Sequence, residues 1–212
     1  MATAIPANFY PPNPFSSDAI MQTSVKGVTC KQGSVAHLQW AGAVAVAKGT
    51  ANVHAAVADN GTQQTITTGF TNPAVPRNLR ITWAATTNTD IKGGVQVYVE
   101  GTDWADQPIN ETSPVSTANT AGTVEMSKAF KTVTKAIIPA HNGTSVTTAI
   151  GWGDKLGLPY ALPYGTALIA QRNYSREGTL PTIAFDANVL SNNTALFNSV
   201  PNGTDLDLWL LI

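Results

Sequence analysis

Runs in which every second residue is apolar recur through this chain, and each is closed by Gly, Asn, Asp or Pro. A strand sends successive side chains to opposite faces, so period-two alternation marks a half-buried strand. Val95-Gln96-Val97-Tyr98-Val99-Glu100 shows it most cleanly, with Val95, Val97 and Val99 on one face. Arg77-Asn78-Leu79-Arg80-Ile81-Thr82-Trp83 repeats the pattern. Residues 63–68, 132–138, 145–150, 167–172, 182–187 and 206–211 are further predicted strands. Helix signals are few. Residues 43–58 are Ala-rich but interrupted by Gly49, residues 127–131 suit one short turn, and residues 188–197 suit a brief coil. Asn-Gly-Thr occurs at Asn60, Asn142 and Asn202, each time between predicted strands. Asn-Gly is the favoured centre of a type I′ turn, so each copy is expected to close a hairpin.

Strands at this spacing point to an all-β fold, an antiparallel β-sandwich of immunoglobulin-like or jelly-roll-like kind. A chain of 212 residues suits one large β domain or two small ones. No fixed-period repeat is visible. The best candidate boundary is the turn-rich stretch 151–165, with Pro159 and Pro163, where Gly151, Gly153 and Gly157 read as a sharply bent loop. We expect an extended arm over residues 1–20. A β-sandwich region follows over 21–212, with its main module at about 74–159 and flanking strands from both ends.

The arm is a separate signal. Ile5-Pro6-Ala7-Asn8-Phe9-Tyr10-Pro11-Pro12-Asn13-Pro14-Phe15 carries four prolines and three aromatics. Proline fixes φ and biases its predecessor toward extended geometry, so the segment is not helical. A stiffened arm loses less entropy on docking, and its aromatics can anchor in a partner's groove. Ile5, Phe9, Tyr10, Pro11, Pro12 and Phe15 are the expected contacts with another chain. At the other end, Leu206-Asp207-Leu208-Trp209-Leu210-Leu211-Ile212 is strongly apolar. It is expected to be a strand buried in the sheet or against a neighbouring subunit, with Trp209, Leu210, Leu211 and Ile212 as partner contacts.

Charge narrows the function classes. Only 12% of residues are charged and the net charge is −1. A near-neutral surface rich in Thr and Asn is poorly repelled by its neighbours and suits a dense assembly. The cations are scattered, which argues against nucleic acid as a partner, since phosphate binding needs them clustered. Cys30 is the single cysteine, so no internal disulfide forms, in keeping with a reducing cytoplasm. The first 17 residues lack the basic start and apolar run of a secretory signal. Residues 40–58, the most apolar stretch, are broken by Lys48, His54 and glycines, so no membrane span is expected. The Asn-x-Ser/Thr sequons at Asn60, Asn110, Asn142, Asn173, Asn192 and Asn202 read as Asn-rich turns.

Bond-making chemistry has little to work with. His37, His54 and His141 show no metal-ligand spacing, and Cys30 has no basic neighbour in sequence to activate it, so it reads as a small buried residue. No nucleophile elbow, phosphate loop or dinucleotide fingerprint occurs. Glu100, Asp103, Asp106 and Glu111 cluster loosely beside Trp104. Paired carboxylates can serve a glycosidase and a tryptophan can stack on sugar, but carboxylates in a loop after a strand are usually solvated or cap a turn. The expectation is no catalytic residue, no cofactor and no metal.

Four segments carry a likeness. They are Val75-Pro76-Arg77-Asn78-Leu79-Arg80-Ile81-Thr82, then Gly93-Gly94-Val95-Gln96-Val97-Tyr98-Val99-Glu100-Gly101-Thr102-Asp103, then Ala129-Phe130-Lys131-Thr132-Val133, then Gly151-Trp152-Gly153-Asp154-Lys155-Leu156-Gly157-Leu158-Pro159. This order resembles a β-sandwich module found among virion structural proteins of tailed bacteriophages. The resemblance implies a protein made in the host cytoplasm and placed on the capsid surface. Its leading role there is a decoration (cement) protein that binds the major capsid protein and self-associates, in the simplest case as a homotrimer. The same module would also serve in a tail, neck or fibre. From the residues themselves, a carbohydrate-binding receptor module built on Trp104 is the alternative of a different class.

Overall fold

The alternation in the sequence becomes alternate burial in the computed structural model, which describes residues 20–22, 29–31, 34–87, 91, 95–116 and 120–212, with backbone alone for the first two segments. The strands are β1 Ile20–Gln22, β2 Thr29–Lys31, β3 Val35–Trp40, β4 His54–Ala58, β5 Gln64–Ile66, β6 Arg77–Ala84, β7 Tyr98–Thr102 and β8 Pro108–Thr112. They continue as β9 Ala121–Phe130, β10 Thr132–Ile138, β11 Thr147–Gly157, β12 Ala167–Arg172, β13 Ser175–Arg176, β14 Thr182–Ala184, β15 Thr194–Leu196 and β16 Leu206–Leu211. One 3-10 turn, Leu190–Asn192, is the helical element among the described residues. The fold is all-β, and among the described residues every pairing is antiparallel. The predicted strands at 132–138, 167–172 and 206–211 have the bounds expected of them. The prolines of the arm, with Ile5, Phe9, Tyr10 and Phe15, lie outside the described residues, as does Gly93-Gly94.

The strands form a β1-β2 ribbon, a four-stranded sheet β5-β10-β7-β8, a six-stranded sheet β14-β15-β11-β6-β9 with β4 also on β11, and a second four-stranded sheet β13-β12-β16-β3. Two cores result. Leu79, Ile81 and Trp83 of β6 meet Val99, Phe130, Val133, Ala136 and Ile150 in the first. Trp40, Leu156, Phe197, Leu206, Leu208 and Leu210 fill the second. Each such side chain contributes roughly 1.5–3 kcal/mol by leaving water. β11 runs through both, with Ile150 in one core and Leu156 in the other.

This long strand overturns the reading of Gly151 to Gly157 as a bent loop. Glycine there answers close approach, not a turn: segment 49–52 crosses β11 at Gly151, and Asn78 presses against Gly153. Where β11 leaves the first core it bulges. Four residue steps from Trp152 to Leu156 face two of β6, and four steps of β9 from Glu125 to Ala129 face two on the other side. A bulge bends its strand and raises local twist, so the paired bulges redirect the sheet from one core to the next.

Two other expectations give way. Residues 127–131 continue β9 to Phe130, and the chain bends at Lys131 to enter the other sheet as β10. The three Asn-Gly-Thr turns do not close hairpins. They join β4 to β5, β10 to β11 and β15 to β16, and each pair of strands lies in different sheets. In two copies the Thr hydroxyl donates to the Asn side chain, from Thr62 to Asn60 at 2.9 Å and from Thr204 to Asn202 at 2.8 Å. These local bonds hold a corner without any strand pairing. The hairpin with both central residues at positive φ is instead β12–β13, at Asn173 (47°) and Tyr174 (64°).

Candidate functional site

β16 explains its own surface. Leu206, Leu208 and Leu210 alternate inward and are fully buried, so Asp207, Trp209 and Leu211 point to the opposite face. The register sets their neighbours: Leu211 lies opposite Val35, Trp209 lies between His37 and Ile169, and Asp207 lies between Gln39 and Gln171. Residues directly opposite share a face, so this outer side of the sheet gathers Val35, Ile169, Trp209 and Leu211. Val35 is 56% exposed and Ile169 36%, and Leu168 stands at 39% beside the bulge in β12.

At its centre the His37 imidazole lies flat on the Trp209 indole, with centroids 4.1 Å apart and planes 4° from parallel. His37 Nε2 donates to Asp207 Oδ1 at 2.8 Å, and Asp207 is itself 3% exposed. The carboxylate fixes the imidazole, and the imidazole fixes the indole. The result is a preorganised aromatic platform rimmed by aliphatic side chains. Of the expected C-terminal contacts, Leu210 is packed in the chain's own second core, while Trp209, Leu211 and Ile212 are half-buried. Nothing local in the sequence marks His37 for this role. Its place opposite Trp209 depends on a pairing across most of the chain's length.

The acids beside Trp104 do not converge. Glu100 pairs with Lys135 Nζ at 3.1 Å, and Asp106 holds Lys131 Nζ with both oxygens at 2.7 Å. Asp103 is 5% exposed and caps the β7–β8 turn, accepting from Ala105 N at 2.9 Å and Gln107 N at 3.1 Å. Glu111 on β8 reaches the edge of the six-stranded sheet and accepts from Ser127 N at 2.7 Å and Lys128 N at 2.9 Å. It thereby clasps the edge strands of two sheets and covers donors that an open edge would expose. Replacing Glu111 by alanine should lower unfolding free energy by about 1–3 kcal/mol, with Glu111→Gln losing less because its amide oxygen still accepts. Urea titration of the three proteins checks this.

Two buried ionic groups serve the fold. His141 Nδ1 donates to Asp59 Oδ2 at 2.7 Å, and the Asp59 carboxylate also accepts from His141 N and Gly61 N. Burial pushes the Asp59 carboxyl up, but the bonds from Gly61 and His141 outweigh it and hold the group below its ordinary value. Burial pushes the Arg77 guanidinium down to about 10, opposed by Asp154 and Glu125, so it stays charged. Arg77 Nη1 donates to Val46 O at 2.7 Å, and Asp154 Oδ2 accepts from Lys48 Nζ at 2.6 Å.

Among the described residues no three His, Cys, Asp or Glu side chains are grouped to hold a metal, and no helix is long and apolar enough to cross a membrane. Two surface depressions, of about 350 Å³ beside Asp154 and Thr182 and about 330 Å³ beside Arg77 and Trp152, each contain one titratable side chain. No protein family, curated protein or solved structure matches the chain.

Proposed function

We propose that this chain is a structural component of a virus particle, a β-sandwich protein that attaches to the head of a tailed phage and stabilises it by contact alone. The observation that carries the reading is the outer face of the β13-β12-β16-β3 sheet, where Val35, Ile169, Trp209 and Leu211 form an apolar surface around a locked aromatic pair. Exposed apolar faces of this kind mark interaction sites. The acids that would have to act in catalysis are instead bonded within the fold, and the virion likeness between Val75 and Pro159 supplies the setting. Contacts to several subunits of the major capsid protein, with closed self-association as a homotrimer, would hold the protein in place by avidity. No bond is made or broken in this role.

Deleting residues 2–15 should leave the β fold intact by circular dichroism and weaken binding to undecorated heads by tenfold or more. Val35→Asp, which puts a charge on the face without touching the core, should weaken binding to a similar degree. If both proteins saturate heads at the parent's concentration, the reading fails. Labelled protein seen in rings along the tail would move the same contacts to a different part of the particle.

A further inference from the structure

Arg77 is a cation that the fold buries without satisfying. Its side chain lies on the core face of β6, in line with Leu79, Ile81 and Trp83, and it is 1% exposed. The register sets it opposite Leu156 of β11 and Phe130 of β9, where the two cores meet. Nη1 donates to Val46 O at 2.7 Å, but Nε and Nη2 have no hydrogen-bond partner. Those two nitrogens form one edge of the planar fork, the edge that receives a carboxylate through two parallel bonds. The nearby acids do not fill it. Asp154 is paired with Lys48 at 2.6 Å and Glu125 with Arg80 at 3.5 Å. Arg77 therefore keeps a charge and a pair of donors for which the described residues supply no acceptor, in a place where unmade bonds to a charged group are costly.

The same side chain lines a surface depression of about 330 Å³. Val44, Val46, Pro73 and Ala74 form its other walls with Trp152, whose half-buried indole is tied by Nε1 to Ala47 O at 3.2 Å. A mostly apolar hollow with one fixed polar group is the usual form of a small-ligand site. Arg77 is the single ionisable group among the lining residues, so the site binds and does not react. The lining also selects the ligand. A phosphate would lose its hydration to apolar walls and find too few donors, whereas a carboxylate is satisfied by one fork and its body by the indole and the aliphatic walls. Nε and Nη2 are buried, so a carboxylate reaches them where the wall gives way. The wall at Val46 belongs to a segment without strand structure, residues 41–50, and its carbonyl bond to Arg77 is weaker than one to a charged acceptor.

We propose that this depression binds a small carboxylic acid with an aromatic or branched apolar body, its carboxylate on the Nε–Nη2 edge of Arg77 and its body against Trp152. The site shares no residue with the outer face of the β13-β12-β16-β3 sheet, so each reading stands or falls alone. The test is titration of the isotope-labelled full-length protein with phenylacetate, read by nuclear magnetic resonance at the Trp152 indole N–H, which Trp152→Phe assigns. A saturable shift with half-saturation at roughly 1 mM or below is expected. Phenylacetamide, which lacks the charge, should bind at least tenfold more weakly. Arg77→Lys keeps the charge, loses the fork and should weaken phenylacetate binding tenfold or more. Ala74→Phe covers the case in which that variant does not fold: it fills the hollow from an exposed position, leaves Arg77 in place and should abolish the shift. Equal shifts from acid and amide, an equal shift from inorganic phosphate, or no saturable shift up to about 20 mM would overturn the proposal. Phenylacetate bound by both variants as tightly as by the parent would do the same. So would tenfold tighter binding of acetyl-alanyl-phenylalanine, which would make the ligand a chain terminus and not a free acid.

Discussion

Replacing Gly151 by alanine should destabilise the protein by about 3–5 kcal/mol, enough to leave much of it unfolded at physiological temperature. An added Cβ would overlap the carbonyl oxygen of Gly49 and come within 2.7 Å of its carbonyl carbon and 2.9 Å of that of Thr50. All three atoms are backbone, so no rotamer relieves the clash. The crossing segment cannot simply lift away. Gly49 N donates to Trp152 O at 3.1 Å, Trp152 N donates to Asn52 Oδ1 at 2.9 Å, and Val53 N donates to Ile150 O at 3.0 Å. These bonds fill the gap on one side of β11 between β4 and β15, so displacing the segment would leave ladder groups unpaired. Urea unfolding should show a lower midpoint. Gly178→Ala is the control. An added Cβ there meets nothing within 4 Å, and a change within about 0.5 kcal/mol is expected. Equal midpoints for the two variants would refute the account.

The second large effect is at Asn78, which is 1% exposed and lies between the two bulges. Its Nδ2 donates to Met126 O at 3.1 Å and to Glu125 Oε2 at 2.9 Å, and its Oδ1 accepts from Lys155 N at 2.9 Å. One side chain therefore satisfies backbone groups that both bulges free from the ladder. Asn78→Ala should lose about 3–4 kcal/mol, because each buried group left unpaired costs about 1–3 kcal/mol. Asn78→Asp keeps the shape and tests the chemistry. The new carboxylate would still accept from Lys155 N, but it would face the Glu125 carboxylate and the Met126 carbonyl. Like charge and burial raise its folded pKa above the unfolded value. Such a group destabilises more as pH rises, so the deficit relative to the parent should narrow between pH 7 and pH 4. A deficit that is independent of pH would mean that the carboxylate has escaped to solvent.

Local pattern was legible wherever local physics decides. Residues 206–211 announce a strand by alternating Leu with Asp, Trp and Leu, and that alternation also separates the core face from the outer face. Val95, Val97 and Val99 share a buried face for the same reason, although the ladder of β7 begins only at Tyr98. Pro76 precedes β6 directly, at the place where a missing N–H does least harm. Turn capping was one of two roles legible for the acids around Trp104, and Asp103 takes it because an aspartate can accept from the backbone two residues on where the chain turns.

Partnership was not legible. Asn-Gly-Thr states that the chain turns, but hairpin or sheet crossing depends on which strands the cores bring together. Glycines 151, 153 and 157 read as a loop because a glycine's local signal is freedom, whereas here it records the approach of Gly49, Asn78, Pro76 and Ala129. The platform needed His37 and Trp209 to meet through the pairing of β3 with β16. By itself the sequence determined which residues face inward along each strand, because that is settled within a few bonds of backbone. Only the tertiary structure decided which strands lie side by side and which apolar faces stay open. That choice follows from burying two cores at once across the whole chain.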